Sequence, residues 1–198
     1  KLNFRNDGIF LINTSIPFTG PYYITNDEKL IEEGNYSSGQ LNGKIVGYFS
    51  SGQVQYEGFV TNGKINFTNN FFENGQFESK IEYSNNKPIS ESSFYENGQL
   101  KEKKFYNDEK LNGEYVSYFE NGQLKEKQFF NNDKLDGDYV SYFNNGQIKK
   151  EIIYDNNIIK NHTYYFNNGN IEREGSSDCD YRIYGYEIDG TLKTDLTY

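Results

Sequence analysis

Few side chains in this sequence are suited to chemistry. His162 is the single histidine and Cys179 the single cysteine among 198 residues. A nucleophile needs a base beside it. His162 falls in Lys160-Asn161-His162-Thr163, a segment expected to link two strands, which predicts a solvated loop histidine. Cys179 lies in Ser176-Ser177-Asp178-Cys179-Asp180. Flanking carboxylates raise a thiol pKa and disfavour the reactive thiolate. Asp133-x-x-Asp136-Gly137-Asp138 is acidic enough to suggest calcium, but it lacks the spacing of an EF-hand loop and its terminal glutamate. Asn and Asp in such places also serve turns, where they hydrogen-bond the local backbone. No glycine-rich loop leads from a strand into a helix to cradle phosphate, and no carboxylate pair stands out for glycoside chemistry. The expectation is a chain with no catalytic residue, no metal ligand and no cofactor.

The one local anomaly is a set of lysines on an acidic background of net charge −9. Lys101 and Lys103, Lys125 and Lys127, then Lys149 recur at a fixed interval. If these segments are strands, alternation puts each pair on one face and Glu102 and Glu126 on the other. Phe94, Tyr118 and Tyr142 are then expected across from the first lysine of each pair. Lysine stems over rings would make a stripe able to hold an acidic protein partner. The same residues also serve as a solvated face that keeps a flat sheet from aggregating.

The elements that carry these residues follow from an internal repeat. Tyr118-Phe119-Glu120-Asn121-Gly122-Gln123-Leu124 recurs as Tyr142 to Ile148, Phe94 to Leu100, Tyr48 to Val54, Phe71 to Phe77 and Tyr165 to Ile171. The turn glycines fall at 52, 75, 98, 122, 146 and 169, a step of 23 or 24. Asp7-Gly8 and Asp189-Gly190 are degenerate copies, and a unit near Asp27 to Leu30 has lost its glycine. About nine units of this period fill the chain. Asn-Gly between two alternating runs signals a hairpin, with both residues at positive φ in a type I′ turn. A second turn, such as Asn131 to Lys134 leading into Leu135-x-Gly137, returns the chain to the next unit. The fold class predicted is all-β: an elongated, twisted antiparallel meander of tandem hairpins, roughly 80–90 Å long at the usual strand spacing. One repeat array spans 1–198, with a degenerate N-terminal cap over 1–34, regular repeats over 35–175 and a C-terminal cap over 176–198.

Composition agrees. Aromatic residues reach 18%, almost all Tyr and Phe, while hydrophobic residues total only 34%. Tyr suits a thin, half-wet sheet because its ring packs while its hydroxyl stays solvated. The net charge and the pI of 4.7 argue against a nucleic-acid or anionic-lipid surface as partner. No apolar run approaches the roughly 20 residues needed to span a membrane as a helix.

The unit Leu-x-Gly-x-Tyr-x-x-Tyr-Phe-x-Asn-Gly-x-Leu-Lys, seen best at 111–125 and 135–149, resembles the MORN repeat in its bacterial variant form. That resemblance implies a β-hairpin ribbon that scaffolds other proteins. It also covers a bacterial group of antitoxin or immunity proteins. Some eukaryotic members contact phosphoinositides, but this chain lacks their fully glycine-studded repeat, so lipid is not an expected partner. Choline- and glucan-binding repeats share the aromatic-and-glycine period, yet their ligand cages depend on Trp, which is absent here.

The functional expectation is a non-enzymatic scaffold binding a protein partner through Lys101, Lys103, Lys125, Lys127, Lys149, Tyr118 and Tyr142. The alternative is an antitoxin that neutralises a toxin encoded beside it. The sequence starts at Lys1 and contains no Met, which fits either a chain trimmed at its start or a mature chain whose signal peptide was removed, the second being the expectation. The first reading then places the protein at a bacterial cell surface, in the periplasm or outside the cell, and the alternative in the cytoplasm.

Overall fold

The computed structural model describes residues 2–5, 8–11, 15–177 and 182–197. Among them every regular element is a strand and none is a helix. Two units divide the chain, residues 1–98 and 99–198. The first holds β1 (Leu2–Arg5) and β2 (Gly8–Leu11), a separate antiparallel pair. It continues with β3 (Gly20–Asn26), β4 (Lys29–Ser37), β5 (Gln40–Leu41), β6 (Gly43–Tyr48), β7 (Val54–Thr61), β8 (Lys64–Phe71), β9 (Phe77–Ser84) and β10 (Lys87–Phe94). The second holds β11 (Leu100–Asn107), β12 (Lys110–Leu111), β13 (Gly113–Tyr118), β14 (Leu124–Asn131), β15 (Lys134–Leu135) and β16 (Gly137–Tyr142). It ends with β17 (Ile148–Asp155), β18 (Ile158–Tyr165), β19 (Ile171–Ser176), β20 (Arg182–Tyr186) and β21 (Leu192–Thr197). Within each unit neighbouring strands pair antiparallel in chain order, the hairpin meander that the repeat predicts.

The turns alternate between two types, and their assignment differs from the sequence expectation. At the Asn-Gly tips only the glycine has positive φ, +83° at Gly122. Gly122 N–H donates to Phe119 O at 2.8 Å, and Phe119 N–H donates to Gln123 O at 2.8 Å. This is a three-residue loop, a type I turn closed by a glycine bulge, and not a two-residue type I′ turn. Asn121 stays at negative φ because its Oδ1 accepts the Gln123 N–H at 3.0 Å, a local bond that fixes the loop. The type I′ geometry belongs instead to the return links. Asn132 and Asp133 have φ of 50° and 67°, and Asn156 and Asn157 follow with 51° and 69°. The tip without a glycine, Asp27-Glu28, is also a two-residue turn, with φ of 48° and 64°. Lacking a residue suited to close the three-residue loop, the chain takes the shorter one.

The tip loop shifts the register by one. Tyr118 pairs with Leu124 and Ser117 with Glu126, leaving Lys125 as the extra residue of a β-bulge. Tyr142 with Ile148, and Ser141 with Lys150, leave Lys149 in the same position. Gln55 and Glu78 are the equivalents in the first unit. All four bulge residues are exposed.

Each unit has one more buried face. In the second unit it carries Tyr115, Ser117, Tyr139, Ser141 and Ile152, of which Ser117, Tyr139, Ser141 and Ile152 are buried. In the first it carries Gly34, Gly47, Tyr56, Gly58 and Val60. The Tyr56 ring lies against Gly47 so closely that a Cβ there would stand 2.1 Å from it. Tyr22 covers Gly34 in the same way. On the opposite face, pairs such as Tyr48 with Val54, Tyr118 with Leu124 and Tyr165 with Ile171 form half-buried ladders beside the tips. Among the described residues no large side chain is fully buried. The core is therefore thin and shared between repeats, as a single hairpin cannot bury its own apolar side.

Candidate functional site

The more buried face is tied together by tyrosine hydroxyls bonded to glutamates across strands. Tyr115 donates to Glu102 at 3.1 Å, Tyr139 to Glu126 at 3.0 Å, and Ser117 to the other oxygen of Glu126 at 3.2 Å. In the first unit Tyr22 and Tyr56 both donate to Glu32. On the other face Tyr165 donates to Glu151 at 2.6 Å. Burial, reinforced by the Glu102 carboxylate, pushes the Tyr115 hydroxyl up to about 12. For Tyr165 the hydrogen bond to Glu151 is the leading cause of a rise to about 12. Each of these glutamates accepts a hydroxyl hydrogen bond from a residue on another strand.

The open face of the second unit holds the sequence-predicted lysines in two rows. The first row is Lys101, Lys125 and Lys149, all exposed, 24 residues apart. Lys125 and Lys149 owe their exposure to the bulges, which leave them without a cross-strand partner. The second row is Lys103 and Lys127, both half-buried, lying on either side of Val116. Lys103 Nζ stands 5.0 Å from the Phe105 ring centre and Lys127 Nζ 5.3 Å from Phe129. Lys127 also pairs with Glu114, whose carboxylate raises its pKa.

The bulges explain where the expected stripe differs from the observed one. Tyr118 and Tyr142 face Leu124 and Ile148 rather than Lys125 and Lys149. Rings near the lysine ammoniums of this face include Phe105, Phe129 and Phe143, the last 5.7 Å from Lys149 Nζ, and Tyr118 and Tyr142 lie within electrostatic reach of Lys127. Glu102 and Glu126 do lie on the opposite face, bonded to Tyr115 and Tyr139. The rings of Phe105 and Phe129 were missed because the lysine next to each in space is two residues earlier on its own strand, a same-strand contact that a search across strands passes over.

His162, Asp133 and Asp136 take places within the strands and turns. His162 is not in a loop. It sits within β18 opposite Ile152, with its ring edge-on to Tyr164 at 5.5 Å. The unit from Ile158 lacks the Leu-x-Gly entry of its neighbours, so the strand starts directly after the Asn156-Asn157 turn. Burial, helped by Arg173, pulls its imidazole below the ordinary range. Asp133 Oδ1 accepts the Leu111 N–H at 2.7 Å, and Asp136 accepts a bond from Asn131. Among the described residues no three His, Cys, Asp or Glu side chains gather into a metal-holding group. Cys179 and its flanking Asp178 and Asp180, like Asp7 of the first degenerate copy, lie outside the described residues.

Comparison with known proteins identifies the repeat. The family model for the MORN repeat variant matches residues 89–108, 111–132 and 135–156. The last two matches each run from just after one return link into the next, enclosing one tip hairpin. No curated protein matches the chain. Among solved structures, a complex of S. aureus TarM with Fondaparinux, α-GlcNAc-glycerol and UDP is 15% identical over 57% of this chain, with a TM-score of 0.18. This chain spans 18% of the TarM chain. A Bacteroides fragilis protein of unknown function is 9% identical, over 92% of this chain and 93% of its own, with a TM-score of 0.12. The family match and the turns that recur through it at one period agree: residues 89–108, 111–132 and 135–156 match the MORN repeat variant as three tandem copies.

Proposed function

We propose that the chain is a non-enzymatic repeat scaffold that binds a protein partner along the open face of its second unit. The observation that carries this reading is the row Lys101, Lys125 and Lys149: three exposed cations placed two strands apart, on a chain whose net charge is −9. Strand spacing sets them roughly 9–10 Å from one another. A rigid sheet presents such a row without the entropy cost of ordering a loop, which favours binding an acidic surface. The Lys103–Phe105 and Lys127–Phe129 pairs lie beside the row and offer rings for the apolar part of a contact.

Amine acylation read by mass spectrometry tests the placement. With partner bound, Lys101, Lys125 and Lys149 become protected, while the exposed link lysines Lys110 and Lys134 keep their reactivity. Equal protection of both sets, or protection of the link lysines alone, would overturn the assignment.

A further inference from the structure

The Lys127–Glu114 ion pair has a counterpart one repeat later that lacks its cation. A step of 24 residues maps Glu114 onto Asp138, Val116 onto Val140, Lys127 onto Glu151 and Phe129 onto Ile153. The registers agree: Val116 pairs with Lys127 as Val140 does with Glu151, and Glu114 with Phe129 as Asp138 does with Ile153. In the first unit the same positions hold Lys44, Val46, Glu57 and Phe59. There the ion pair is reversed, with Lys44 Nζ 2.8 Å from the Glu57 carboxylate. Two repeats therefore neutralise this diagonal internally. The third places two carboxylates on it, and no cation of the described chain pairs with Asp138 or Glu151.

The same place is hollow. A depression of about 350 Å³ is lined by residues 138–140, 151–153 and 161–163, of which Asp138, Val140, Glu151, Ile153, Asn161 and Thr163 share the open face. Ile153 on its wall is 44% exposed. Glu151 is held in position by the Tyr165 hydroxyl through Oε2, leaving Oε1 to accept another donor. One repeat back, the equivalent space is served by the chain's own Lys127, its ammonium on Glu114 and over Phe129. A long cationic side chain buries its methylenes on apolar surface while its head keeps polar company, and this lining supplies both.

We infer that the depression receives a lysine side chain from a protein partner, its ammonium between Asp138 and Glu151 and its stem on Val140 and Ile153. The inference shares its face with the proposed partner surface, but its test needs no partner and so fails or succeeds separately.

The test is a ¹⁵N NMR titration of the full chain with Nα-acetyl-lysine-N-methylamide, beside the norleucine analogue and cadaverine. Saturable shifts at 138–140, 151–153 and 161–163 are expected with the lysine amide, and binding at least about tenfold weaker with norleucine, which lacks the ammonium. Glu151→Lys supplies an internal cation, as in the preceding repeat, and is expected to abolish the response. Asp138→Asn, a milder change on an exposed side chain, is expected to weaken it. An equal response to norleucine, shifts spread over carboxylates elsewhere, or an undiminished response in both variants would overturn the site. Cadaverine binding about tenfold tighter than the lysine amide would overturn the assignment to a partner's side chain in favour of a free diamine.

Discussion

Asp133 holds Leu111 twice across a full repeat. Its N–H donates to Leu111 O at 2.9 Å, while its Oδ1 accepts the Leu111 N–H at 2.7 Å. Asn157 makes the same pair of bonds with Leu135, at 2.8 and 2.7 Å. These two return turns are thereby each stapled to the repeat before. Asp and Asn both serve, since either offers an acceptor oxygen two atoms from the backbone and tolerates positive φ.

Removing that acceptor isolates its worth. Asp133→Ala is expected to lower stability by about 1 kcal/mol, the usual net value of one hydrogen bond, with some further loss from ordering alanine at positive φ. Asp133→Asn should stay near the parent, because Asn157 already does this work. Urea denaturation checks both, through the midpoint at unchanged slope.

Gly47→Ala tests the thin core. Its Cβ would meet the Tyr56 ring at 2.1 Å, so the ring must leave its place over the strand and its bond to Glu32. A loss on the order of 1–3 kcal/mol is expected for overpacking of this kind. Gly52→Ala, with nothing within 4 Å but φ at +88°, should show only the backbone strain of about 1–2 kcal/mol. A Gly47→Ala variant as stable as the parent would show that the Tyr56 ring is not packed as described.

Much of this architecture is legible from residue spacing. The glycine period locates every regular hairpin, and Leu135-x-Gly137 marks the strand entry after a link. The turn types are not legible in the same way. Asn-Gly suits either a two-residue or a three-residue loop, and the choice here depends on Phe119 pairing with Gln123 across the loop. One extra loop residue then moves the partner of Tyr118 from Lys125 to Leu124 and that of Tyr142 from Lys149 to Ile148, which displaces those two expected lysine–ring pairings. The Asp138–Glu151 depression could not be read either. Its meaning rests on register, on comparing one repeat's ion pair with the next, and on which side chains face the same side.

Titration gives a further check at both ends of the pH scale. Glu57 has its pKa lowered from 4.5, chiefly by its bond with Lys44 and then by Asn69. A depressed folded pKa adds stability that is complete above the unfolded value and is lost as pH falls through the folded one. Stability is therefore expected to fall as acid is added below about pH 4.5, and Glu57→Gln should flatten that slope. Tyr56, Tyr115 and Tyr165 are raised from 10.0 to about 12. Their contribution is complete below the unfolded value near 10 and is lost as pH rises towards 12. Tyrosinate absorbance should accordingly show a late-titrating class, and denaturation should accompany its ionisation.

Charge reversal along the row of Lys101, Lys125 and Lys149 tests the partner-binding proposal most directly. The variant carrying Lys101→Glu, Lys125→Glu and Lys149→Glu keeps its fold by circular dichroism and thermal melting, because exposed side chains away from caps and cores shift stability by within about 0.5 kcal/mol each. Its affinity for the isolated partner, measured by calorimetry across a salt series, is expected to drop at least about tenfold, with a flatter salt dependence than the parent. A folded triple variant that binds the same partner with unchanged affinity and an unchanged salt slope would contradict the account.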